Sequence, residues 1–230
     1  MTLVKVCGLT RPEDVTLAVE LGAWAVGFIL TGSPRRVDTE AAASLVRTAR
    51  RAPAARPPLA VLVFSTETAD VVVDAVLATH ADAVQLSAGR AGISVAALRD
   101  RLAEAGRLPT TVIAAADAAG AGDADFVLRD SRSPGTWGGT GLTLDWARLA
   151  KDPALPRERL VLAGGLTPEN VSEAVRRVRP RAVDASSGLE RVPGIKAPDT
   201  MRAFFAAVAA ADGRDGGAPS PRATAEEAPR

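Results

Sequence analysis

The stretch LVKVCGLTRPEDVTLAVEL, residues 3–21, reads as one strand followed by one helix, and that pairing decides the fold. Leu3, Val4, Val6 and Cys7 form an apolar run interrupted only by Lys5, and Gly8 ends it. Thr10 ahead of Pro12 and Glu13 gives the hydroxyl-then-proline order of a helix N-terminus. The unit leaves the chain's only cysteine, Cys7, at the C-terminal tip of the strand, the end that faces the ligand in open parallel sheets and in α/β barrels. A thiol at such a tip is open to three readings: a nucleophile, a general base, or a small buried filler.

The same strand-then-helix pattern recurs along the chain. Apolar runs at 4–7, 25–29, 59–64, 83–86, 111–115, 126–129, 160–163 and 182–185 are near-continuous, as strands buried on both faces of a parallel sheet are. Helical spacing fills 12–21, 39–51, 68–78, 94–104, 168–178 and 199–211, and Thr167 before Pro168 and Glu169 repeats the capping order of the first helix. The crossover at 117–123 is short and glycine-rich, so a loop or single turn is expected there. Eight such units within residues 1–211 predict an α/β fold, a single-domain (β/α)8 TIM barrel, rather than a doubly wound sheet. Residues 212–230, with Gly216-Gly217, Pro219-Ser220-Pro221 and Glu226-Glu227, lack an apolar face and are expected to form a disordered polar tail.

Composition excludes several functions. The 28 basic and 27 acidic residues leave no field to attract a nucleic acid, and no basic stripe is interleaved with aromatics. A single cysteine makes no internal disulfide, no charged and apolar leader opens the sequence, and no apolar run approaches the roughly 20 residues of a membrane span, so a cytoplasmic protein without membrane contact is expected. With His80 as the only histidine and no cysteine pair, the chemistry is expected to need neither metal nor cofactor. With 47% apolar residues in a 230-residue chain, one core is expected, and a monomer rather than a dimer.

In a barrel the functional face is the set of strand C-terminal ends, and several of these ends turn polar or glycine-rich. The seventh strand runs into Gly164-Gly165, and the eighth carries Asp184 and runs into Ser186-Ser187-Gly188. One glycine turn is merely a tight connection, but two on consecutive strands point to a phosphate, which needs backbone N–H groups approachable without Cβ obstruction and extra hydroxyl donors. Asp130 ends the sixth strand and opens a long glycine-rich loop through Gly141, suited to folding over a ligand. After the second strand, Arg35 and Arg36 bring guanidinium groups to the same rim, and arginine suits a carboxylate held by two parallel hydrogen bonds. These residues point to a phosphorylated small molecule that also carries a carboxylate.

The motifs KVCGLTRPED at 5–14, GFI with SPRRV at 27–37, AVQL at 83–86, LRDSRSPGTWGGTGLTLDW at 128–146, LAGGLTPENV and AVDASSGLE together resemble phosphoribosylanthranilate isomerase of tryptophan biosynthesis, from the first strand to about Phe205. The resemblance implies a cofactor-free Amadori rearrangement of a phosphorylated aminoaldose, N-(5'-phosphoribosyl)anthranilate, to its 1-deoxyribulose 5-phosphate isomer. By the same matching Asp130 would be the general acid and Cys7 the general base, Arg35 would hold the anthranilate carboxylate, and Asp184 would contact the sugar hydroxyls. Gly164, Gly165, Ser186, Ser187 and Gly188 would cradle the phosphate. Such roles require Cys7 as thiolate and Asp130 protonated near neutral pH. Ser87 stands where most members carry histidine, and Ser65-Thr66 where Val-Asn is common, which bears on the anthranilate pocket more than on proton transfer. A related histidine-pathway isomerase and a non-catalytic sugar-phosphate binder are the alternatives; the first uses aspartate at the first-strand tip, where this chain has Cys7, and the second has no need of both Cys7 and Asp130.

Overall fold

Side chains alternate across each strand, and here the two sets pack into two separate cores. The computed structural model describes residues 1–87, 92–108, 110–116, 121–130 and 145–213. Eight parallel strands close in chain order into a barrel: β1 (Leu3–Val6), β2 (Ala25–Ile29), β3 (Leu59–Phe64), β4 (Ala83–Leu86), β5 (Thr111–Ala115), β6 (Phe126–Arg129), β7 (Leu160–Leu162) and β8 (Ala182–Ala185). β1 pairs with both β2 and β8, which completes the ring. Outside it lie α1 (Pro12–Glu20), α2 (Thr39–Arg51), α3 (Ala69–Thr79), α4 (Val95–Glu104), α5 (Trp146–Ala150), α6 (Val171–Val178) and α7 (Pro198–Ala211). The outward set, including Val4, Val6, Phe28, Leu62 and Phe64, packs on helix residues such as Leu45, Val76 and Phe204. The inward set, Ala25, Val61, Ala83, Ile113, Leu128, Val161 and Ala182 with Leu3, Trp24 and Phe126 against it, plugs the barrel.

The predicted barrel is thus the observed one, and the differences are local. Thr10 does not cap α1: its Oγ1 donates to the carbonyl of Gly194, the N-cap position falls to Arg11, and Arg11 pairs with Asp14 instead. Helix α6 starts at Val171 rather than at Pro168, because Asn170 folds back, its Oδ1 accepting from Thr167 N and its Nδ2 donating to the carbonyl of Gly165. Three features carry no signal in the apolar pattern: the short α5, and the antiparallel hairpin of β9 (Glu190–Val192) and β10 (Ile195–Lys196) inserted between β8 and α7. In the fifth crossover, Ala121–Asp123 is a single 3-10 turn. Asp212, assigned by sequence to the polar tail, follows α7 directly and accepts from Thr2 N and Oγ1 at 2.7 and 2.8 Å, tying the end of α7 to the start of β1. The rest of the expected tail, from residue 214, and the glycine-rich loop at 131–144 lie outside the described residues.

Candidate active site at the barrel mouth

The apolar plug sets the parity of the mouth. Stepping by two from Leu3 leads to Lys5 and Cys7, from Ala25 to Gly27, from Ala83 to Gln85 and Ser87, from Leu128 to Asp130, and from Ala182 to Asp184 and Ser186. Each inward row begins apolar and ends polar or open. Cys7 lies one residue past β1 but remains in the ladder, its N–H donating to the carbonyl of Ala185.

Lys5 and Asp184 face each other across the β1–β8 pair, and Lys5 Nζ donates to Asp184 Oδ2 at 2.7 Å in a site where the lysine is wholly buried. The other oxygen, Asp184 Oδ1, is buried without a hydrogen-bond partner among the described residues. A buried carboxylate oxygen left open in this way is an acceptor for a ligand hydroxyl. Cys7 is buried beside this pair. Burial pushes its thiol pKa up; the Lys5 ammonium pulls it back and the Asp184 carboxylate pushes it up again, and the net direction is upward. Gly27 makes the convergence possible: a Cβ there would lie 2.9 Å from Cys7 Sγ and 3.3 Å from Lys5 Nζ.

The two glycine turns meet. A Cβ on Gly188 would stand 2.0 Å from the carbonyl oxygen of Leu166, so the loops after β7 and β8 touch backbone to backbone and only glycine fits. Gly164 and Gly165 both have positive φ, 93° and 63°, which turns the β7 loop sharply at the rim. Ser186 Oγ is buried and unpartnered among the described residues, and Ser187 opens the 3-10 turn that follows. Backbone approach plus an unused hydroxyl is what an incoming phosphate requires.

Arg35 is the residue whose setting sequence reasoning leaves incomplete. Its Nε and Nη2 both donate to the Glu190 carboxylate at 2.8–3.0 Å, a bidentate pair that commits one edge of the guanidinium. Glu190 Oε1 also accepts from Lys196 Nζ at 2.9 Å, and the same ammonium donates to the carbonyls of Cys7 and Ser186. Burial works against the Glu190 carboxylate, but Arg35 and Lys196 outweigh it and hold its pKa below the usual carboxylate range. Burial lowers the Lys196 pKa despite Glu190. Arg36, the loop's other arginine, turns away and donates to the carbonyl of Leu30.

Across the mouth, Gln85 Nε2 donates to Ser87 Oγ at 3.0 Å, so the serine at the unusual position serves a barrel-interior glutamine. Asp130 sits half-buried at the end of β6. The fold therefore puts Cys7, Asp184, Ser186 and Arg35 in one connected cluster, with Asp130 on the same rim at β6, separated from β8 by β7. Lys5, Glu190 and Lys196 are the parts that site prediction missed. Lys5 had a signal, a lone charge within an apolar strand; Lys196 had none, because GIKAP reads as a surface turn.

Residues 4–207 match the family described as N-(5'-phosphoribosyl)anthranilate (PRA) isomerase. The N-(5'-phosphoribosyl)anthranilate isomerase of Chromohalobacter salexigens is 41% identical over 208 residues, covering 90% of this chain and 94% of its own length. Among solved structures, the phosphoribosyl anthranilate isomerase of Thermus thermophilus superposes with a TM-score of 0.73 at 31% identity, covering 91% of this chain and 99% of that one. Another phosphoribosyl anthranilate isomerase, solved in complex with reduced 1-(o-carboxyphenylamino)-1-deoxyribulose 5-phosphate, superposes at 0.67 with 32% identity, covering 93% and 100%.

Proposed function

The chain belongs to the N-(5'-phosphoribosyl)anthranilate isomerase family, and we propose that its barrel mouth performs the family's Amadori rearrangement with Cys7 as base and Asp130 as acid. The substrate is N-(5'-phosphoribosyl)anthranilate, an intermediate of tryptophan biosynthesis, and the product is 1-(2-carboxyphenylamino)-1-deoxyribulose 5-phosphate. The observation that carries the assignment is the cluster of Cys7, Lys5 and Asp184 beside the touching glycine turns of β7 and β8.

The steps follow from the residues present. Asp130 donates a proton to the furanose ring oxygen; the C1'–O bond breaks and the anthranilate nitrogen lone pair completes a Schiff base. That cation acidifies the C2' hydrogen, and Cys7 thiolate removes it, leaving an enolamine that tautomerises to the ketone. Asp184 Oδ1, open and buried, accepts from a sugar hydroxyl. Backbone around Gly164, Gly165 and Gly188, with Ser186 and Ser187, receives the phosphate and fixes the sugar between acid and base. Arg35 offers the anthranilate carboxylate its Nη1 end, since Glu190 occupies Nε and Nη2.

A monomer and a cytoplasmic setting complete the reading. The large exposed apolar side chains among the described residues are scattered over Met1, α3, the turn after α4, and β9, at Met1, Val71, Leu77, Leu108 and Val192, which supports a monomer. A reducing compartment keeps the lone working thiol reduced. Purified protein added to freshly made substrate is expected to accelerate loss of the substrate's fluorescence well beyond spontaneous hydrolysis. A rate no faster than the blank would overturn the reading.

A further inference from the structure

Burying an ammonium is costly, and Lys5 is fully buried at the centre of the barrel mouth with no part in the steps above. Its pairing with Asp184 at 2.7 Å accounts for one of its three donors. The rest of its surroundings point to the thiol. Lys5 and Cys7 are two residues apart on one inward row, and their ammonium and sulfur both close over Gly27, where a Cβ would lie 3.3 Å from one and 2.9 Å from the other. Asp184 and Cys7 together keep the lysine charged against its burial.

We propose that Lys5 is a positioning residue for the isomerisation: its ammonium, oriented by Asp184, stands against Cys7 Sγ and supports the thiolate that removes the C2' proton. The inference rests on Cys7 being the base. Other charged groups face the thiol as well. Asp184 on β8 opposes the thiolate; Lys196 on β10, bonded to the Cys7 carbonyl, favours it, and Arg35 on the loop after β2 acts from the same side as Glu190 holds it. Lys196 is committed to Glu190 and two carbonyls and Arg35 to Glu190, whereas Lys5 shares the inward row of Cys7 and closes over Gly27 with the sulfur, so its removal is the one expected to reduce the thiolate most at a given pH.

The chain suits a direct titration, because it holds one cysteine and no tyrosine, and the ultraviolet absorbance of the thiolate rises without tyrosinate beneath it. In Lys5→Met the midpoint of that rise is expected to move up by about one unit or more, and kcat at neutral pH to fall about tenfold or more, with recovery as pH rises and KM little changed. Lys5→Arg, which retains a charge, is expected to restore most of the midpoint. Should Lys5→Met fail to fold because Asp184 is left unpaired, Lys5→Gln keeps a donor for Asp184 without the charge, and its midpoint is still expected to move up. An unshifted midpoint, or a kcat loss that high pH does not relieve, would overturn the proposal. An active Cys7→Ala would instead overturn the assignment of the base, while the thiol titration would still report what Lys5 does to the sulfur.

Discussion

The two ends of the barrel use charge in opposite ways. At the end where strands begin, Asp82 ahead of β4 accepts the N–H of Ala60 and pairs with Arg50, and Asp125 ahead of β6 accepts the N–H of Val112 and pairs with Arg99. Arg159 ahead of β7 donates to the carbonyls of Gly122 and Ala124. These pairs are open to water, with Arg50 and Asp82 exposed by 42% and 37%. At the mouth, Lys5–Asp184 and Lys196–Glu190 are exposed by 0% and 7%, and by 0% and 4%. The first end uses charges to satisfy strand-start backbone groups where water already softens every interaction. The second removes charges from water, where each is strong only while its partner stays in place. Strand beginnings carry stability, and strand ends carry chemistry.

Exchanging single groups at the mouth tests that division most severely. Cys7→Ala and Asp130→Asn are each expected to lower kcat by about 10²–10⁴-fold, because each deletes a proton-transfer step, and to change KM far less. Steady-state kinetics alongside a thermal melt separates the two ends' logic: turnover collapses while the melting temperature moves little. Loss of stability with turnover intact would make the mouth a structural core like any other.

The sequence showed the barrel because strands buried on both faces need continuous apolar runs, and eight such runs survive in Val, Leu, Ile and Ala without competing signals. Cys7, Asp130 and the glycine turns were legible because strand tips are fixed once strands are. What stayed hidden depends on residues distant in sequence. Lys5 meets Asp184 and Arg35 meets Glu190 only after β1 and β8 close the ring. Lys196 is placed by a hairpin too short to leave a period-two pattern, and Thr10 forgoes its cap for a carbonyl on that same hairpin. Local chemistry could not predict either choice, since the competing partner lies at the other end of the chain.

The Lys196 site gives the next largest effect. Its ammonium joins Glu190 to the carbonyls of Cys7 and Ser186, so Lys196→Met takes a donor from all three: the Ser186 carbonyl keeps only the N–H of Leu189, and Glu190 keeps Arg35 and the N–H of Gly194 but loses its buried ammonium. A loss of about 3–5 kcal/mol in urea unfolding is expected, the cost of breaking a buried pair by removing one partner. The pH dependence has a definite sign. Glu190 is held below its ordinary pKa, so its contribution is complete above the unfolded carboxylate value of about 4.3 and is lost as pH falls through the lower folded value. Without Lys196 one of the groups holding that value down is gone, and the acid loss of stability begins at higher pH. An unchanged acid limb would mean that Arg35 alone sets the carboxylate.

The smallest effect belongs to the opposite end. Arg50→Ala removes an exposed pair with Asp82 and a bond to the carbonyl of His80, both reachable by water once the side chain is gone. Its expected cost is about 0–1 kcal/mol, with kcat/KM at the wild-type value. Asp82→Ala is expected to cost more than Arg50→Ala, by about 1 kcal/mol, because Asp82 also accepts the N–H of Ala60, a buried residue of the outward core. Equal costs for the two would locate the stabilisation in the ion pair; the predicted inequality locates it in the backbone bond, which is the reason strand beginnings carry acidic residues that the chemistry never touches.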